Sequence, residues 1–189
     1  MKKIFAFALC MACMVTVAFG QEGSQKQGFD KSRLFFGGNL GLSFGDYTIV
    51  NVSPQVGYRF TDMFAAGAGI NYIYYNYKYY ASDGSLFERD TYSYAGLSVF
   101  GRLYPIRQFF IHVQPELNYV WGTQKFYYPS ETQYKLPSQF VPSVLMGGGA
   151  AIPAGNGAVT ISVLYDVIQN SLSPYYHQAV FAFGFNVGF

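Results

Sequence analysis

Six side chains hold most of the chemistry this sequence can support: Arg59, Arg102, Glu116 and Asp166, with His112 and Gln114 among them. Two guanidiniums against two carboxylates sum to zero, the balance expected of a self-contained polar network. Strung along an open passage, the same groups would make a proton or ion pathway. Charges taken out of water must be paired or fully hydrogen-bonded, so the two arrangements differ in whether solvent reaches them. Nucleophilic catalysis has less to work with. There are 2 His, and both Cys (Cys10 and Cys13) lie in an apolar N-terminal stretch, so a Ser–His–acid set has few ways to form. Cys10-x-x-Cys13 lacks the βαβ surroundings a redox motif requires. No residues show metal-ligand spacing, and Gly155-Asn156-Gly157 is turn chemistry. No catalytic residue, cofactor or metal is expected.

The elements that must position these residues follow a beat of two. In 109–121, Phe109, Ile111, Val113, Pro115, Leu117, Tyr119 and Trp121 alternate with His112, Gln114, Glu116 and Asn118. In 48–60, Val50, Val52, Pro54, Val56, Tyr58 and Phe60 alternate with Asn51, Ser53, Gln55, Gly57 and Arg59. The same pattern over 34–44, 63–75, 93–104, 142–152, 158–167 and 179–189 predicts eight strands. Arg59, Arg102, Glu116 and Asp166 all fall on the polar or small-residue face. The turns after strands two, four and six are tight (Thr61-Asp62, Pro105-Ile106-Arg107, Ala154 to Gly157), whereas those after three, five and seven are longer, at 81–90, 123–139 and 169–174. An antiparallel, up-and-down barrel with short turns on one rim has this rhythm.

Composition agrees. The chain is 51% hydrophobic, 20% aromatic and only 12% charged, where soluble domains carry about 25% charge. Met1 to Gly20 has the basic start, apolar core and small-x-small end of a secretory signal peptide. Residues 21–32 then form a short periplasmic segment and 33–189 a single barrel. Without residues 1–20, 10 of the 12 Lys+Arg remain against 10 Asp+Glu, a neutral balance that excludes a nucleic-acid partner.

Volume decides which face points outward. The bore of an eight-stranded barrel holds little beyond its own side chains, and the apolar face is too bulky for it. The greasy face is therefore expected to meet lipid, and the face rich in Gly, Ser and Asn to line the lumen. The run NYIYYNYKYY (71–80) then falls at the outer interface. Tyr72 and Tyr74, with Tyr119, Trp121, Tyr175 and Tyr176, fit an aromatic girdle. Tyr77, Tyr79 and Tyr80 would stand above it, opposite Tyr92 and Tyr94. Within 123–139, Lys125, Phe126, Tyr127 and Tyr128 form the candidate extracellular binding loop.

With its signal peptide, eight alternating strands, tight turns and terminal GFNVGF, the chain resembles the small outer-membrane β-barrel family that includes the OmpA transmembrane domain and OmpX. FGRLYP at 100–105 is similar to the F-x-R-Y-Y strand ending of Bacteroidota-type porin-family proteins, with Leu103 where the first Tyr would stand. The resemblance implies a bacterial outer-membrane location in contact with the lipid bilayer and lipopolysaccharide. It also implies a monomer, and a last strand read by the barrel assembly machinery through Phe189. Lipid A deacylases on this scaffold place His and Ser two apart on one face; here Gln114 follows His112 and Ala179 follows His177, so an enzyme is not expected. The functions left are a surface protein acting through extracellular loops, a narrow passive channel for small solutes, or an accessory subunit of a larger outer-membrane complex.

Overall fold

In the computed structural model the described residues are 30–43, 47–128 and 130–188. The chain divides after Asp30, and the second unit, Lys31–Phe189, contains every strand. The expected signal peptide, most of segment 21–32 and Phe189 lie outside the described residues.

A 3-10 turn (Lys31–Arg33) leads into eight strands: β1 (Leu34–Ser43), β2 (Tyr47–Arg59), β3 (Phe64–Tyr80), β4 (Leu86–Ile106), β5 (Phe109–Phe126), β6 (Thr132–Ala154), β7 (Gly157–Asp166) and β8 (Ala179–Val187). Each is antiparallel to its neighbours, and β8 returns to pair with β1, closing the sheet in chain order. Closure gives every strand a partner on both edges, as hydrocarbon demands of a spanning sheet. The tight turns are locally encoded. Thr61 Oγ1 accepts from the amides of Met63 (3.2 Å) and Phe64 (3.0 Å). Gly155 supplies the left-handed backbone (φ 58°) between β6 and β7.

Sidedness matches the alternation. Phe36, Leu97, Phe140 and Phe181 are each 60% exposed or more, while Asn118 and Asp166, on the opposite face, are fully enclosed. A continuous apolar exterior on a monomer is unsuited to water and suited to a bilayer.

Two expectations need correction. First, the lumen is not lined by small and polar residues alone. At the short-turn end, Phe35, Phe100, Tyr104 and Phe110 pack inside with Ala65 and Ala151. Glycines make the room: a Cβ on Gly67 would stand 2.6 Å from Phe100, and one on Gly149 2.8 Å from Phe110. A second apolar layer (Ile73, Tyr94, Val120, Val141, Leu145, Leu164 and Tyr175) closes the other end. The amide groups around Glu116 lie between the two, and Arg102 is set among the aromatic rings of the first.

Second, two of the three long connections are in large part strand. A membrane crossing takes about 9–11 residues; β3 to β6 run for 17, 21, 18 and 23, whereas β1, β2, β7 and β8 have 10, 13, 10 and 9. Half of 81–90 and most of 123–139 therefore continue β3–β6 into a four-stranded extension above one side of the mouth. Only 81–85 and 127–131 connect its strands. The apolar/small contrast ends where lipid ends, but the strand does not, because Tyr and Thr keep favouring extended backbone.

Candidate functional site

The middle of the lumen is a chain of hydrogen bonds. Strand alternation brings Gln55 (β2), Asn71 (β3), Ser98 and Arg102 (β4), and His112, Gln114, Glu116 and Asn118 (β5) to face the axis; all are buried. Arg102 Nε donates to His112 Nδ1 (3.1 Å) and Nη2 to Gln55 Oε1 (3.1 Å), and Nη1 reaches the side-chain oxygen of Asn186. Because Nδ1 accepts, His112 carries its proton on Nε2 and donates it to Gln114 Oε1 (3.0 Å). Gln55 Nε2 donates to the same oxygen (3.2 Å). Gln114 Nε2 passes the chain to Glu116 Oε2 (3.2 Å), where Asn71 also donates (3.0 Å), while Asn118 donates to Oε1 (2.7 Å). Ser98 in turn donates to Asn71 Oδ1 (3.2 Å).

The cation and the carboxylate are thus joined through amides. Arg102 is also held between rings, its guanidinium carbon 4.8 Å from the Phe100 centroid and 5.2 Å from that of Phe110.

The remaining predicted lumen residues lie apart. Arg59 sits near the short-turn rim, its guanidinium 5.0 Å from the Tyr104 centroid. Asp166 ends β7 and works as an anchor rather than as a charge partner. Its Oδ1 accepts from the amides of Val144 and Ile168 (both 3.1 Å), and its Oδ2 from Ser173 (2.8 Å), whose hydroxyl also meets Ser143 (3.0 Å). These bonds fold residues 167–178 into the barrel mouth. Gln169 and His177 (φ 53° and 55°) turn the segment through the left-handed region, fastened by a bond from the His177 amide to Gln169 Oε1 (2.9 Å).

This fold-back corrects part of the girdle. Tyr72, Tyr119 and Trp121 lie on the outer wall, with Tyr119 and Trp121 ring to ring at 5.9 Å, and Tyr74 is half-buried there. Tyr175 does not. It is buried inside the mouth, where its hydroxyl engages Glu116 from above. Tyr176 is in the same inserted segment, stacked on His177 at 4.1 Å, so neither ring belongs to a strand wall.

Beside that plug lies a cleft of about 220 Å³, lined by Tyr75, Tyr77, Tyr92, Tyr94, Ser173, Pro174, Tyr176 and Gln178. Tyr75 and Tyr77 stack at 6.0 Å, Tyr94 meets Tyr75 edge-on at 6.0 Å, and Tyr75 donates to the Pro174 carbonyl (3.3 Å). The cross-strand register also differs from expectation: Tyr92 and Tyr94 pair with Tyr75 and Ile73, while Tyr77 faces Asp90 and Tyr79 faces Glu88. Two carboxylates expected in a loop therefore stand on the inner, mouth-facing side of the extension.

The extension's outer side has the opposite charge. Lys78 pairs with Arg89, and Arg89 with Lys125, across three adjacent strands, and Lys135 is on β6 beside them. Lys125 and Phe126, expected in a loop, close strand β5; only Tyr127 and Tyr128 are in the connection. Lys125 is paired with Glu131 and lies 4.9 Å over the Tyr127 ring, with Arg89 5.9 Å from the same ring. Phe126 packs at 6.2 Å from both Phe87 and Tyr134. The missed signal was the alternation Leu86, Glu88, Asp90, Tyr92, Tyr94, a beat of two carried by polar and aromatic residues.

No family model matches the sequence, and no curated protein is similar enough to match it. Among solved structures the chain is similar to Neisserial surface protein A (NspA), at 13% identity over 82% of this chain and 94% of that one, with a TM-score of 0.46. It is likewise similar to Ail, the attachment invasion locus protein of Yersinia pestis, at 10% identity over 81% and 91%, with a TM-score of 0.41.

Proposed function

We propose that this protein is an integral barrel of a bacterial outer membrane, closed to solute flow, and that it acts at the cell surface through the β3–β6 extension and the cleft beneath it. The observation that carries this reading is the filled bore. Aromatic, polar and apolar layers succeed one another along the bore, and Ile73, Asn118 and Asp166 within them are fully enclosed. A passage for solutes needs a wetted path, and an eight-stranded barrel filled this way offers none. The raised sheet is the part of the molecule with surface left to engage a partner. Its outer row of Lys78, Arg89 and Lys125 lies about 13 Å along the strands beyond Tyr74 and Trp121, at about 3.3 Å per residue. That height suits contact with anionic headgroups at the outer surface of the leaflet.

Planar-bilayer recording of the purified full-length protein tests the closed bore: the expected trace is flat at all applied voltages. Reproducible conductance steps would overturn the reading in favour of a channel. An epitope tag inserted between 128 and 130 should be accessible to antibody on intact cells; accessibility only after envelope disruption would reverse the assigned orientation.

A further inference from the structure

The inner side of the extension has a charge arrangement that the described residues do not complete. Glu88 and Asp90 are two apart on one face of β4, with Tyr77 and Tyr79 opposite them on β3 and Gln124 and Phe126 opposite them on β5. Gln124 donates to Glu88 Oε1 (2.5 Å). Asp90 is 9% exposed, and its Oδ1 has no hydrogen-bond partner. An enclosed carboxylate oxygen without a donor, next to a second carboxylate, calls for a cation or a donor from elsewhere. The extension's own cations cannot supply it. Lys78, Arg89 and Lys125 alternate onto the other face, where Tyr127 and Glu131 engage the last two.

The ligand chemistry is set by the groups around the carboxylates. Tyr92, two positions from Asp90 on the same face, and Tyr77, across from it, both line the 220 Å³ cleft, so the acidic pair borders the cleft's upper edge without lining it. Aromatic faces attract cations within about 6 Å. A free carboxylate oxygen favours a cation that donates hydrogen bonds, which excludes a quaternary ammonium. Stacked planar rings favour a planar group, and guanidinium is the common cation that is both planar and a multiple donor. The cleft has room for about seven waters at about 30 Å³ each, enough for a side-chain terminus and part of its stem. Its floor is preset, because Asp166 and Ser173 hold the inserted segment that carries Pro174.

We propose that the Glu88–Asp90 pair and the tyrosines of the mouth cleft form a binding site for a guanidinium group, presented by an arginine side chain. This deepens, and rests on, the reading of the extension as the engaged surface. Titration supports it. Burial, then the charge of Glu88, raises Asp90 above the usual carboxylate range, against a lowering hydrogen bond from Gln124; among the described residues, Tyr77, Tyr79 and Tyr92 are the other polar groups facing it, and none is a cation.

The test is calorimetric titration of the full-length protein in neutral maltoside micelles at low salt with N-acetyl-arginine amide. Its uncharged isostere, N-acetyl-citrulline amide, is the reference. Saturable binding of the arginine probe, at least tenfold tighter than citrulline and weakened at least tenfold by Asp90→Asn, is the expected result. Glu88→Gln, at a less enclosed position, should weaken it severalfold and serves if the first variant misfolds. Equal binding of the two probes, or arginine binding untouched by both variants, would overturn the site. A Gly-Arg-Gly amide distinguishes the source: tighter binding than the single residue indicates a basic protein segment and equal binding a free small molecule, and both uphold the guanidinium site. Flat bilayer recordings alongside absent binding would sink this inference and leave the closed barrel standing.

Discussion

Glu116 and Asp90 are both enclosed carboxylates at inward-facing strand positions, yet their surroundings are opposite in kind. Glu116 has an amide donor on each side, from β3 and from its own strand, and the chain that satisfies it ends on Arg102. Asp90 has a second carboxylate for a neighbour, an oxygen with no donor, and every nearby cation on the wrong face of the sheet. The first pattern is how a buried charge is made structural; the second is how one is kept available. Asn118 Oδ1 is the single polar atom of the mid-lumen layer left without a partner, and it lies against Gly96, where no ligand could enter.

Substitution separates the two sites. Glu116→Ala should have the largest effect, because it leaves the donors of Asn71, Gln114 and Asn118 unmatched in a water-poor bore. About 3 kcal/mol of stability should be lost at about 1–3 kcal/mol per stranded group, read as a lowered Tm or urea midpoint in detergent. An unchanged melting profile would remove the network from the account of stability. Asp166→Ala comes next, at about 2 kcal/mol for three hydrogen bonds of about 0.5–1.5 kcal/mol each. Its signature is local: protease cleavage within 167–178 should accelerate while the rest of the barrel stays resistant.

Asp90→Asn should cost nothing and could gain up to about 1 kcal/mol, since it relieves like charges that the fold does not offset. The pH dependence follows from the sign. A carboxyl whose folded-state pKa is raised binds its proton more tightly in the folded chain, so stability is gained as pH falls through the range just above the ordinary carboxylate value and lost as pH rises through it. Amide protection factors around 88–92 and 122–126, taken relative to the intrinsic exchange rate at each pH, should therefore rise on mild acidification, and Asp90→Asn should flatten the response. Protection that falls instead would show Asp90 to be satisfied after all.

How much of the molecule was legible depends on where each residue gets its instructions. Strand alternation is set by which neighbour faces lipid, so Phe36, Leu97, Ile111 and Phe181 declared the barrel and its sidedness on their own. The polar lumen was legible for the same reason: Arg102, His112, Gln114 and Glu116 interrupt no apolar face. Phe35, Phe100 and Phe110 broke the simple rule, because their places depend on glycines contributed by other strands, a pairing that only register reveals. Glu88 and Asp90 passed as loop residues because the lipid contrast that marks a strand stops before they begin. Tyr175 was misplaced for a third reason. Its position comes from Asp166 and Ser173 gripping a non-strand segment, and no periodicity encodes a segment that folds back into its own barrel.

The join between the first strand and the last has a consequence of its own. β1 and β8 meet over four residue pairs, Phe36 with Val187 to Asn39 with Gly184, where β1 and β2 share ten. Gly37, Gly38 and Gly184 lie in that short stretch and add no side chain to hold it. The wall is thus a sleeve fastened by its weakest zip. Under load, the cylinder should part along this line first and spread into a sheet with two bare edges, the shape in which a newly made chain would have to wait before closing on itself.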